Sequence, residues 1–298
     1  MEFTENVLEY HLKKYISKNN NQKNKLITTK KHNMKPIKER IEAIRVNGYE
    51  LDFGTVFEHA FENYKKIALY AGLVLLFFFV ALAILFMMGM VSYIGMENME
   101  EFSKEIIQFS ELKEKPLDIV LQINASMLLL SALINPFLAG FFKMADCAEK
   151  GEEFHVSTMF TYYKSPYFAN IFIAVFLITL VNMGISTLME LAGLRIIGSI
   201  ISLTLSFITF LVVPLIIFGK LNSVDAIKSS IIIVSKQPLV LLGLIIVAGI
   251  GALIGIFGFC IGILFTMPIV YSMNYVIYSS IIGINSESEI EEIGNKEI

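Results

Sequence analysis

A metal centre, a general base or an activated nucleophile needs two or more His, Cys, Asp or Glu side chains brought to one place. The four histidines of this chain, His11, His32, His59 and His155, fall on separate polar stretches. Its two cysteines, Cys147 and Cys260, sit at the end of one apolar stretch and inside another, and read neither as a disulfide pair nor as zinc ligands. No HExxH, Walker A or serine-elbow pattern occurs. The polar chemistry inside the apolar stretches is carried chiefly by Asn124, Asn135, Asn182 and Asn274, interleaved with Pro136, Pro214 and Pro268. Such amides serve as interhelical hydrogen bonds worth about 0.6 to 2 kcal/mol each. Alternatively they line a cavity where proline-broken helices expose carbonyls. No catalytic, cofactor-binding or metal-binding residue is expected, and the chain reads as a non-enzyme.

The elements that hold these residues are set by charge. Five segments contain no Asp, Glu, Lys or Arg: 67–96, 119–142, 165–189, 196–219 and 237–286. A charge at the bilayer centre costs roughly 2.5–3.5 kcal/mol, and about 20 apolar residues span the hydrocarbon. The last segment is long enough to cross, turn and cross back, which predicts six transmembrane helices. With 55% hydrophobic and 17% charged residues, the class is an all-α, polytopic membrane helical bundle rather than a soluble domain. Glu190 and Arg195 fall at one edge of the spans, and Lys143 and Asp146 at the other.

Lys and Arg crowd the segment before the first span (Lys30, Lys31, Lys35, Lys38, Arg40, Arg45, Lys65 and Lys66 among them) and recur at Lys143, Lys150, Lys164, Lys220, Lys228 and Lys236. The positive-inside rule places these stretches, and hence both termini, in the cytoplasm. The first outside loop departs from the rule with Lys104, Lys113 and Lys115 among an excess of acids. Residues 1–33 read as a disordered basic extension, with Met34 as a candidate natural start. Residues 34–66 are expected to form cytoplasmic interfacial helices, 67–283 the six-helix domain, and 284–298 an acidic tail. Anionic headgroups account for the basic segment, and no nucleic-acid partner is expected.

One unit repeats three times. Each opens on an amphipathic segment ending in Lys (Thr55–Lys66, Val156–Lys164, Ala226–Lys236), crosses outward, and returns on a helix containing Pro136, Pro214 or Pro268. Three helical hairpins result. Phe57, Phe61 and Tyr64 form one amphipathic stripe, with Thr55 and Glu58 in the form of a capping box. Ile37, Ile41 and Ile44 predict a surface helix ending at Asn47–Gly48, and Phe102, Ile106 and Phe109 a second one outside. Gly251 with Gly255, and Gly258 with Gly262, have spacing that allows close helix approach, within the last hairpin first of all.

The last crossing, with Gly258, Cys260, Gly262, Thr266, Pro268, Tyr275 and Tyr278, and the first opening segment, with Phe57, Phe61 and Lys65, carry a family resemblance. The chain resembles bacterial six-helix integral membrane proteins related to the membrane domain of glycerophosphoryl diester phosphodiesterase. The resemblance implies a six-helix bundle in the bacterial cytoplasmic (inner) membrane, without the soluble barrel that carries the phosphodiesterase chemistry. The expected role is membrane-organising or partner-binding, the alternative being a passive or facilitated transporter of a lipid or small metabolite. Membrane lipids are the expected partners, with a membrane-protein partner or a second copy of the chain left open.

Overall fold

The computed structural model describes residues 36–112, 116–164, 166–258 and 261–284. The expectations for residues 1–33, Met34, Lys113, Lys115, Cys260 and the acidic tail lie outside them. All regular structure among the described residues is helical. The helices are α1 (Ile37–Asn47), α2 (Phe53–Ile94), α3 (Met99–Glu111), α4 (Leu117–Lys150), α5 (Thr161–Lys164) and α6 (Tyr167–Leu191). They continue as α7 (Arg195–Ile208), α8 (Val212–Ile217), α9 (Ser223–Lys236), α10 (Pro238–Leu253), α11 (Gly262–Thr266) and α12 (Pro268–Ile281). Short 3₁₀ turns occupy Met96–Asn98, Val156–Phe160 and Ile254–Gly258. Five segments among the described residues are long and apolar enough to cross a membrane: Phe53–Ile94, Leu117–Lys150, Tyr167–Leu191, Arg195–Ile217 and Pro238–Gly258.

The opening segment Thr55–Lys66 is not a separate helix. It is the first third of α2, whose 42 residues run about 63 Å at 1.5 Å per residue, twice the hydrocarbon thickness. The other two segments do stand apart, because Pro166 caps α6 and Pro238 begins α10, and a helix tends to end before proline. After Lys66 the next proline is Pro116, far beyond the entry into the span. The cap of α2 also differs from the expected box. Asp52 accepts hydrogen bonds from the Thr55 amide and hydroxyl, both at 2.7 Å, which holds its carboxyl below the ordinary range. Residues 143–150, expected in a loop, complete the last turns of α4, and 223–236 form α9.

Burial is concentrated at one end of the bundle. The core comprises the N-terminal part of α2 through Leu75, the C-terminal part of α4, α8, much of α9, α10 through Ala248, and most of α12. Phe78 stacks on Phe137 at 3.8 Å, and Phe218 meets both Tyr275 and Tyr278. Beyond Leu75, α2 has no buried residue, and Phe77, Ile84, Leu85, Phe86 and Met87 are all exposed. Most of the outer parts of α4, α6, α7 and α10 are similarly open. We call these the packed end and the open end.

Two sequence expectations find their places here. Ile41 and Ile44 of α1 are buried against the bundle itself, where α1 lies on α9. Lys38 pairs with Asp225 at 2.8 Å, and Tyr49 donates to the Ile233 carbonyl at 3.1 Å. The helix stops at Gly48, whose φ of 72° is a conformation that side chains rarely adopt. Gly255 and Gly262 meet within the last reversal: a Cβ on Gly255 would lie 2.4 Å from the Gly262 backbone.

Candidate functional site

The expected amides do not converge. The Asn124 amide of α4 donates to Thr187 Oγ1 of α6 at 3.4 Å, and Asn182 of α6 donates to Ser206 Oγ of α7 at 3.3 Å. Between them Ser186 and Ser202 share a hydrogen bond of 2.8 Å, so these residues form one polar seam along α4, α6 and α7. Asn135 turns back onto its own helix, donating to the Ser131 carbonyl at 2.9 Å. Asn274 is buried on α12, away from the seam, and its Oδ1 has no hydrogen-bond partner. Asn182 Oδ1 is likewise buried and unpartnered.

The three prolines lie buried on three different helices. Pro136 sits inside an unbroken α4, Pro214 in α8, and Pro268 at the start of α12. Proline removes the bond to the carbonyl four residues earlier and pushes that turn open. A hydroxyl group takes a carbonyl in the stretch leading to each proline. Tyr163 donates to Leu133 O at 2.7 Å, Ser230 to Ile208 O at 2.8 Å, and Tyr64 to Phe265 O at 3.2 Å.

The densest polar constellation lies elsewhere, where α2, α4 and α12 meet at the packed end. Asp146 of α4, 1% exposed, is held by Lys143 at 3.1 Å, Lys150 at 3.0 Å and the Tyr275 hydroxyl at 3.1 Å. Spacings of three and four residues place Lys143, Asp146 and Lys150 on one face of α4. Asn63 of α2, also 1% exposed, donates to the Ala145 carbonyl at 2.8 Å and accepts from Ser272 of α12 at 2.9 Å. Glu149 extends the cluster, accepting from Asn63 at 3.4 Å and contacting His59 Nε2 at 2.9 Å. Lys66 donates to the Ala148 carbonyl at 3.3 Å.

A buried carboxylate is tolerated only when opposite charge and hydrogen bonds replace its water. Here two ammonium groups of α4 itself and a phenol of α12 do so, and Asn63 joins α2 to the same two helices by hydrogen bonds. From the sequence, Asp146 falls at a membrane edge, and Asn63 goes unmarked within the interfacial segment Thr55–Lys66. The available signal for Asn63 was its place in the stripe Val56–Ala60–Asn63–Ile67–Ala71, where every neighbour at helical spacing is small or apolar and buried. Outside the spans, the Lys38 ammonium hydrogen-bonded to Asp225 holds that carboxyl below its ordinary range. Burial pushes the Tyr49 phenol up.

Comparison with protein-family models, curated proteins and solved structures gave no match to this chain.

Proposed function

We propose that this chain is a six-crossing protein of a bacterial cytoplasmic membrane, folded as three hairpins with both termini in the cytoplasm. We propose further that it works without catalysis, organising the surrounding membrane or binding a membrane partner. The sixth crossing is α11 with α12, running from Gly262 to Ile281. It falls into two short helices because Pro268 interrupts it. Contacts of α12 with α10, and the Thr266 hydrogen bond to the Ala252 carbonyl, support an antiparallel return. The lysines of the intervening segments, Lys143, Lys150, Lys164, Lys228 and Lys236, gather near the packed end, which supports that end as the cytoplasmic one. Kinship with the membrane domain of glycerophosphoryl diester phosphodiesterase belongs to the same proposal.

One observation carries the functional reading. The packed end is filled by side chains such as Phe137, Phe141, Met144, Leu215 and Tyr275, while large apolar side chains of the open end face outward on almost every helix. Contiguous exposed apolar surface marks contact with lipid or with another protein. Native mass spectrometry of the full chain released from lipid nanodiscs tests this. Retained lipid or a protein partner is the expected result. Solute uptake into proteoliposomes above that of empty vesicles would overturn it and favour facilitated transport. That second reading draws on the unpartnered Oδ1 atoms of Asn182 and Asn274, acceptors that a passing polar solute could engage.

A further inference from the structure

The hydroxyls near the three prolines come from a consistent source. Tyr64, Tyr163 and Ser230 each belong to one of the three amphipathic opening segments. Each serves the returning helix that precedes its own unit in the order of the chain, and the order closes on itself. Tyr163, in the second segment, serves the Pro136 helix. Ser230, in the third, serves the Pro214 limb. Tyr64, in the first, serves the Pro268 limb of the last unit. In the first and third limbs the carbonyl taken lies three residues before the proline (Leu133, Phe265). In the second it is that of Ile208, the last residue of α7, where the break comes ahead of Pro214. The register within each segment varies, yet the pairing order does not.

These contacts fall at a boundary in packing. On one side lie the buried stretches 137–148, 211–217 and 268–278, and on the other the sparsely buried 117–131, 195–208 and α11. A helix turn that has lost an amide to proline bends more readily than an intact one. A hydroxyl from a neighbouring element that takes a carbonyl of that turn ties the bend to the neighbour. We infer that the proline-weakened turns around Pro136, Pro214 and Pro268 are hinges. The hydroxyls of Tyr163, Ser230 and Tyr64 latch them, joining the packed end into a closed collar from which the open-end halves swing as separate arms. Hinge motions of this kind occur between rigid blocks at a few element-terminal positions. The device stands whether the bundle organises lipid, binds a partner or passes a solute.

Double electron–electron resonance on the full chain in nanodiscs tests it, in a background with Cys147→Ala and Cys260→Ala. One spin-label pair sits at exposed open-end positions on two of the hinged limbs, Leu121 of α4 and Leu203 of α7, and a second at exposed packed-end positions, Val46 and Val156. The expected result is a broad open-end distance distribution beside a narrow packed-end one. Tyr163→Phe and Ser230→Ala, which remove one oxygen each from the latches of these two limbs, should shift and broaden the open-end distribution and leave the packed-end one in place. Equal widths for the two pairs, or an open-end distribution that neither variant moves, would overturn the inference. So would a packed-end distribution that broadens with the open-end one, since the hydroxyls would then hold the fold as a whole. Tyr93→Phe, on a fully exposed side chain, is the control expected to move neither.

Discussion

The Tyr275 hydroxyl donates to Asp146 Oδ1 at 3.1 Å, joining α12 to α4 through two side chains that are each 1% exposed. Asp146→Ala would remove the acceptor shared by the part-exposed Lys143 and Lys150 and strand the buried phenol, the last alone costing about 1–3 kcal/mol beyond the lost charge-assisted bonds. Tyr275→Phe removes one hydrogen bond to a charged group, worth about 1.5–3 kcal/mol. Unfolding in mixed micelles should rank the variants Asp146→Ala below Tyr275→Phe below the parent. A parent-like Asp146→Ala would show that the cluster does not hold the packed end together.

Asn63 and Asn182 are chemically identical and should respond to the same substitution by different amounts. Asn63→Leu gives up the bond to the Ala145 carbonyl and strands the Ser272 hydroxyl in the core, at about 1–3 kcal/mol for the unsatisfied group. Asn182→Leu gives up one bond of 3.3 Å and removes a buried acceptor with no partner, so its net effect should stay within about 1 kcal/mol. The same micelle titration checks both. A strongly destabilised Asn182→Leu protein would assign the seam a structural weight that its geometry does not show.

Gly140 of α4 lies against the backbone of Met159, and a Cβ there would sit 2.5 Å from the Met159 Cα. Backbone cannot rotate aside as a side chain can, so Gly140→Val should cost about 1–3 kcal/mol by overpacking. Gly249, with nothing within 4 Å of its own Cβ position, is the matched control. Gly249→Ala should be neutral or slightly stabilising, because alanine is the better helix former. Thermal aggregation of the two variants in detergent separates them.

The Lys38–Asp225 pair ties α1 to α9 and should respond to pH. Its folded carboxyl titrates below the unfolded one, so its contribution is present above the ordinary carboxylate value and fades as pH falls through the lower folded value. Both groups are solvent-accessible, and the effect is a local loosening of α1 rather than unfolding. Hydrogen exchange across Ile37–Asn47 should accelerate, relative to its intrinsic rate, below about pH 4 in the parent. In Lys38→Ala that acceleration should be smaller. Identical pH profiles in the two proteins would remove the pair from the docking of α1.

Much of the architecture was legible because a bilayer imposes a simple rule on sequence. Uncharged stretches of sufficient length become helices, and five of them did so, although the first helix begins at Phe53, well ahead of its uncharged stretch, and the fifth span ends at Gly258, well before the end of its own. Surface helix α1 was legible for a similar reason, since isoleucines at three- and four-residue spacing need one apolar contact and Gly48 ends the helix. The candidate site was less legible. Asn135 and Asn274 look alike as letters, but one turned to its own backbone and the other into the core. An amide in an apolar stretch announces a need for a partner without naming it.

Composition and spacing by themselves determined that this chain is helical, apolar enough for a membrane and punctuated by proline, since those outcomes depend on local hydropathy and backbone chemistry. Tertiary structure alone decided that Asp146 and Asn63 form the centre of the polar cluster, that Tyr64 reaches a carbonyl some 200 positions away, and that burial gathers at one end. Those facts depend on which helix faces meet. That choice is made jointly by side chains far apart in the chain, and no window of sequence contains it.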